Sequence, residues 1–257
     1  MEVISFDISG KIAHFRKYYT NNTALSFSIP PRTSIMGILA AICGLQRDSY
    51  YDLFSSNNID IGIALLTKTK KTIHRLNLLK VEGLSDFRGK KGHTQIPYEI
   101  VTGEDLNKTL IIYRIFLKQN EISIDDFSRL KLALQSRDNN FALTLGAANF
   151  NASIFNYQEY KAIERKARDE FEYFDSAINA EDVVEIKLLQ EGKERISIVE
   201  EELMPADFIA NYNRKLQKMN RMLFSVSGSQ LKARLRESAL VVELLNEKGN
   251  KNIQFMK

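Results

Sequence analysis

An α+β fold is predicted by three features of the chain. Strand-like and helix-like apolar patterns follow one another in the order βαββαβ, a lysine-rich stretch interrupts that order, and charge is strongly segregated. With 257 residues, 44% of them hydrophobic, the chain can bury a substantial core as one large domain or two smaller ones.

Residues 1–9 alternate as a strand. Residues 33–45 place Ile35, Ile38, Leu39, Ile42 and Leu45 on one helical face, with Gly44 near the end. Ahead of this helix Pro30 and Pro31 hold the chain extended, and Thr33 or Ser34 is expected to cap the first turn. Residues 59–66 form a second strand and 109–117 a third; 123–137 form a helix capped by Ser123, with Asp125 and Asp126 in its first turn and Phe127, Leu130 and Leu134 facing inward. Residues 141–145 supply the fourth strand. This order is the ferredoxin-like or RRM arrangement.

Residues 68–108 interrupt it as an excursion from the sheet containing Gly83, Gly89, Gly92 and Gly103. Beyond Phe150 the signals weaken. Residues 160–174 are highly charged and read as a surface helix or linker. Residues 183–189 and 195–199 read as a hairpin turning at 191–193. Residues 205–223 space Phe208, Tyr212, Leu216 and Leu223 as a helix would, and 239–245 with 252–256 close a last hairpin around Lys248, Gly249 and Asn250. Two domains are therefore expected, 1–155 with the insertion at 68–108, and a smaller β-rich domain at 156–257.

Net charge is only +4, but residues 8–47 carry five basic side chains and no acidic one, and residues 68–93 carry eight against two. Residues 203–257 carry another excess of six, whereas residues 159–202 hold fourteen acidic against seven basic. Basic blocks flanking a compact apolar pattern indicate a polyanionic partner. At Pro30 to Ser34, free helix N–H groups and Arg32 converge on one point suited to a phosphate. The lone Cys43 excludes an internal disulfide and a multi-cysteine metal site. The apolar run 35–45 is too short to span a bilayer, so a cytoplasmic protein with no membrane partner is expected. His14, His74 and His93 match no metal-ligand spacing, and no phosphate-binding glycine motif is present, so neither metal nor cofactor is expected.

Ala13, Phe15, Arg16, Thr20, Asn21, the run Pro30, Pro31, Arg32, Thr33, and the helix start at 37–42 together resemble the N-terminus of the Cas five family. These are RAMP subunits of CRISPR type I Cascade complexes. Residues 93–99 (HTQIPYE) and 143–150 (LTLGAANF) extend the resemblance, which covers roughly residues 1–155 and is nearest to type I-B subunits. It implies a noncatalytic subunit that grips the CRISPR RNA 5′ handle and caps one end of the Cascade filament. Its partners would be CRISPR RNA, the Cascade backbone and large subunits and, through the complex, target DNA.

In the family the excursion is a thumb hairpin set against the RNA; here Leu84, Phe87 and His93 could wedge against a displaced base. Phosphates are expected on Arg16, Lys17 and Arg32, and in the thumb on Lys68, Lys70, Lys71, Arg75, Lys90 and Lys91. Tyr18, Tyr19 or His93 would stack on bases, with Asn21, Thr33, Ser34 and Gln95 alongside. Gly146 either admits the RNA backbone or merely ends a strand.

Three other readings are open. His14 with Tyr18 or Tyr19 and Lys17 could in principle cleave repeat RNA without metal, as the type I-C branch does. Alternatively the chain is an ordinary RRM protein or a protein-binding scaffold; against the RRM, residues 111–116 (IIYRIF) lack the aromatic stacking motif of such sheets.

Overall fold

The computed structural model describes residues 1–89, 91–137, 140–191, 195–209, 213–247 and 249–256. In chain order its principal elements are β1 (Glu2–Gly10), α1 (Arg32–Cys43), β2 (Ile59–Leu65), β3 (Thr69–Leu79), β4 (His93–Gly103), β5 (Ile111–Gln119), α2 (Ile124–Ser136) and β6 (Ala152–Lys166). They continue with β7 (Glu172–Phe174), β8 (Val183–Lys187), β9 (Val199–Phe208), β10 (Leu216–Ser225), β11 (Leu231–Leu235), β12 (Leu240–Leu245) and β13 (Lys251–Ile253).

The fold is α+β. A six-stranded sheet runs β13-β12-β6-β1-β5-β2, with every neighbouring pair antiparallel. Strand alternation divides β1 between two cores. Ile4, Phe6 and Ile8 pack with Ile35, Leu39 and Ile42 of α1 and with Phe127, Leu130 and Leu134 of α2. Val3, on the opposite face, packs with Phe116, Tyr160, Val242, Leu244 and Phe255. The chain after β13 then returns to the far edge, where Met256 N–H donates to the Ile61 carbonyl at 2.8 Å. A Cβ at Gly62 would stand 3.0 Å from the Gln254 carbonyl oxygen, so this approach favours glycine. The β2 edge is thereby covered, and at the β13 edge the Asn252 carbonyl accepts the Asp175 N–H at 2.8 Å, so each edge carries a contact that interrupts the exposed ladder through which sheets aggregate. No helix among the described residues is long and apolar enough to cross a membrane.

Both helices occur where the apolar spacing puts them, and α2 is capped as expected, its Asp126 N–H donating to Ser123 Oγ at 3.1 Å. At α1 the expectation fails. The N-cap is Pro31, whose carbonyl accepts from the Ser34 and Ile35 N–H groups, so Thr33 and Ser34 lie inside the first turn and cap nothing.

Several other expectations are corrected. Residues 141–145 are a loop, not a strand: Leu143 and Leu145 are buried, and the segment folds back through Leu145 N–H to Phe150 O and Ala152 N–H to Leu143 O. The fourth strand of the βαββαβ order is instead β6, whose charged residues suggested a surface helix or linker. The boundary expected between 155 and 156 falls inside β6. Residues 205–208 and 216–223 are strand rather than helix, with Phe208 paired to Leu216 near the end of the β9/β10 ladder; Tyr212 lies outside the described residues. The strand β8 pairs with the distant β11, and only Gln190–Glu191 pairs with Arg195–Ile196; of the turn expected at 191–193, residues 192 and 193 lie outside the described residues. The last hairpin forms as expected, with its Lys248 outside them.

Arg32 overturns the expectation of a phosphate clamp. It is fully buried: Nη1 donates to Asp207 Oδ1 at 2.5 Å, and Nη2 to the carbonyls of Phe54 and Ile59 at 2.9 and 2.7 Å. The other oxygen of Asp207 accepts the Ser56 N–H. Burial pushes the guanidinium below its ordinary pKa, and Asp207 and Asp60 oppose that push. One side chain thus ties α1 to the loop before β2 and to β9.

Breaking such a pair from one side leaves an uncompensated buried charge, at a cost of about 3–5 kcal/mol. Urea denaturation of Arg32→Met and of Asp207→Leu is expected to show losses of that order, and the double variant to recover much of the loss. Additive losses in the double variant would contradict the pairing.

Candidate nucleic-acid interface

The expected excursion is a hairpin of β3 and β4, in unbroken register from Thr69 opposite Gly103 to Leu79 opposite His93. Eleven residues per strand carry it about 35 Å at the usual rise. Its base is held by Ile12–Ala13 pairing with β4 and by buried Ile100 and Val101. Farther out Ile73, Leu76, Leu78 and Leu79 are exposed, and at the tip Leu84 is 88% and Phe87 69% exposed. The tip is a 3₁₀ turn, Leu84–Arg88, organised by Asp86, which accepts the Glu82 and Gly83 N–H groups at 2.8 Å and pairs with Lys91. Those bonds, first that from Glu82, hold the Asp86 carboxyl below its ordinary pKa. An isolated two-stranded ribbon is marginal in water, so the outer part of the hairpin depends on its anchored base.

The cations expected to meet phosphate fall into two groups. Lys17 and Lys71 are engaged by the acidic segment of β9: Lys17 Nζ lies 2.5 Å from Glu202, and Lys71 Nζ lies 3.4 Å from Glu200 and 3.7 Å from Glu202. Burial works to lower the pKa of Lys17, but hydrogen bonds with Glu202 and Tyr19 outweigh it and the net direction is upward. Lys68 pairs with Glu104 in an exposed pair that competes weakly with a phosphate, whereas Lys91 is shared between exposed Glu82 and buried Asp86. Lys70 and Arg75 are exposed and have no carboxylate partner among the described residues. Gln95 bonds across the hairpin to Asn77, His93 is exposed at the outer end of β4, and Lys90 lies outside the described residues.

A second feature lies beside α1, where a groove of about 560 Å³ brings together Arg16, Tyr18, Thr33, Ser34 and Gly146, five of the residues expected at the site. Arg16 is exposed and donates to the Thr20 and Asn21 carbonyls. Tyr18 and Tyr19 are both about half exposed, their rings edge to face at 5.1 Å. The sequence reading missed Tyr50, Tyr51, Phe208 and Arg214, which line the same groove. Tyr51 Oη donates to Asp48 at 2.5 Å and Arg214 Nε at 2.9 Å. The tyrosine pair right after the helix was a readable signal, whereas Arg214 and Phe208 arrive from the far end of the chain.

Gly146 has φ of +91°, and a Cβ there would lie 1.9 Å from the His14 carbonyl oxygen. The close approach that demands glycine is therefore made by the protein's own backbone. The His14 ring is buried, donates Nδ1–H to the Glu99 carbonyl at 2.7 Å and stacks on Tyr98 with centroids 4.0 Å apart. The 93–99 motif is thus docked on the first basic block. Among the described residues no group of three or more His, Cys, Asp or Glu could hold a metal.

No family model and no curated protein matches the sequence. Solved structures do. A CRISPR protein from Archaeoglobus fulgidus aligns over 100% of both chains with 12% identity and a TM-score of 0.56. A CRISPR RNA-guided surveillance complex contains a chain aligned over 92% of each with 9% identity and a TM-score of 0.48. A Cas protein aligns over 92% of this chain and 95% of its own, with 11% identity and a TM-score of 0.45. The first likeness establishes the class of fold, that of a CRISPR protein.

Burial holds the His14 pKa below 6.5. As pH falls below about 6.5 the unfolded chain takes up this proton before the folded one, so the stability linked to neutral His14 is present above that pH and lost below it. Between about pH 7 and pH 5.5 the melting temperature of His14→Gln is expected to fall less steeply than that of the parent. Identical slopes would show that His14 is protonated as readily in the fold as outside it.

Proposed function

We propose that this chain is a noncatalytic CRISPR RNA-binding subunit of a type I Cascade complex, gripping the crRNA 5′ handle and capping one end of the backbone filament in antiviral defence. The observation that carries this reading is the long hairpin, exposed in its outer part, whose cations Lys70 and Arg75 have no carboxylate partner among the described residues, set on a fold similar to that of a CRISPR protein. The subset β6-β1-β5-β2 of the sheet, with α1 and α2 on one face, supports a ferredoxin-like RAMP domain. The hairpin's cations and the Arg16 to Asn21 loop would neutralise phosphates, while Tyr18, Tyr19, Phe87 and His93 offer flat faces to unstacked bases. The partners on this reading are crRNA and the Cascade backbone and large subunits, with target DNA reached through the complex.

A binding role without cleavage is favoured by the state of the groups a metal-free ribonuclease would need. General acid–base catalysis requires groups within hydrogen-bond reach of the 2′-OH and the leaving oxygen. His14 instead has its ring buried against Tyr98 with Nδ1–H committed to Glu99, and the Lys17 ammonium is committed to Glu202.

Each phosphate neutralised on single-stranded RNA contributes about 0.7 to the slope of log affinity against log salt. The exposed pair Lys70→Glu/Arg75→Glu is expected to weaken binding to single-stranded CRISPR repeat RNA and flatten that slope by roughly 1.4, with the melting temperature unchanged. A folded variant with the parent's slope and affinity would remove the hairpin from the RNA interface.

A further inference from the structure

The groove beside α1 has a depth and lining that a strand of RNA held only by its phosphates would not need. Its α1 side includes two small residues, Gly37 and Ala41, four positions apart on one helical face, with Ile38 beside them. A Cβ on Gly37 would stand 3.3 Å from Tyr50 Oη, so glycine there accommodates that ring. The wall is aromatic: the Tyr50 and Tyr51 rings are 4.8 Å apart, Phe208 meets Tyr51 edge to face at 5.3 Å, and Tyr18 stands 52% exposed among the lining residues.

Charge adds a second requirement. Among the described residues no Asp or Glu lines the groove. Arg214 is neutralised by Asp48, but Arg16 meets only backbone carbonyls and has no carboxylate partner among the described residues. A volume of about 560 Å³ falls within the range that encloses small organic ligands. An apolar side chain from a partner protein would fill the aromatic part and leave Arg16 without a counter-charge. A nucleotide supplies both a flat ring and an adjoining phosphate.

We propose that this groove receives a single nucleobase turned out of the bound RNA strand, held against the Tyr18, Tyr50 and Phe208 faces with the adjoining phosphate on Arg16. The proposal rests on the RNA-binding function above and adds a discrete base-reading position to it. Base stacking on aromatic side chains is sequence-tolerant, so the pocket fixes the register of the strand while hydroxyls of Thr33, Ser34 and Thr144 are placed to discriminate between bases.

The test uses the full chain and a short single-stranded RNA of the repeat's 5′ handle sequence, with one nucleotide at a time made abasic. Affinity is expected to fall by roughly tenfold at one register and little elsewhere. That dependence should disappear in Tyr18→Ala, an exposed change that spares the core, and in the groove-filling Ala41→Leu. Binding that responds to salt but is indifferent to every abasic position overturns the base pocket and leaves the RNA-binding function standing; no affinity for any RNA overturns both. If Tyr18→Ala and Ala41→Leu released a co-purifying protein while RNA binding kept its base dependence, the groove would be a protein site and the proposal would fall.

Discussion

The buried ion pair between Arg32 and Asp207 is the constraint on which the arrangement of this molecule depends. It joins the first residue of α1 to β9, residues separated by 175 positions in sequence, and the same guanidinium also fastens the carbonyls that precede and open β2. Burying two charges is costly, and their attraction only offsets that cost when the geometry is good and the remaining hydrogen bonds are made. What the pair contributes is therefore chiefly position. It holds the C-terminal β9/β10 hairpin against α1, and the groove lies between them, with Gly37 and Ala41 on one side and Pro205, Phe208 and Leu216 on the other.

Electrostatics divides the surface in a way that composition hides. The acidic stretch at residues 200–202 does not stand apart from the basic ones: Glu200 and Glu202 fold onto Lys17 and Lys71, and Ser28 Oγ donates to Glu200. These partly buried pairs join β9 to the base of the hairpin and remove two cations from service. Arg16, Lys70 and Arg75 remain without carboxylate partners among the described residues, one at the groove and two on the hairpin. A basic block in sequence thus resolves into cations paired within the fold and cations without a carboxylate partner among the described residues, according to what the fold brings beside each.

Elements stabilised by local pattern were legible in the sequence. The helices α1 and α2, the strands β1, β2 and β5, the hairpin insertion and the closing hairpin all follow from apolar spacing and turn residues within a short window. The strands β6, β9 and β10 were not, because their charged residues point to solvent or to distant partners and only non-local pairing makes them strands. The same limit explains Arg32: beside two prolines and a helix start it looks like an anion site, and nothing nearby announces Asp207. Gly146 could be read either as admitting an RNA backbone or as ending a strand, and neither reading points to the His14 carbonyl that packs against it. The groove was half visible, through Arg16, Tyr18, Thr33 and Ser34, since its other wall comes from the end of the chain.

The central claim is that the chain holds one end of a CRISPR RNA at the groove and hairpin. Its most direct test is to express the chain with the other subunits of a type I Cascade complex and a CRISPR array, irradiate the purified assembly, and sequence the RNA and peptides that become cross-linked. The account predicts RNA with a uniform 5′ end, joined through that end to peptides containing Tyr18, Tyr50 or the β3/β4 hairpin. An assembly that contains no RNA, or RNA whose cross-links to this chain fall only outside the groove and the hairpin, would contradict it.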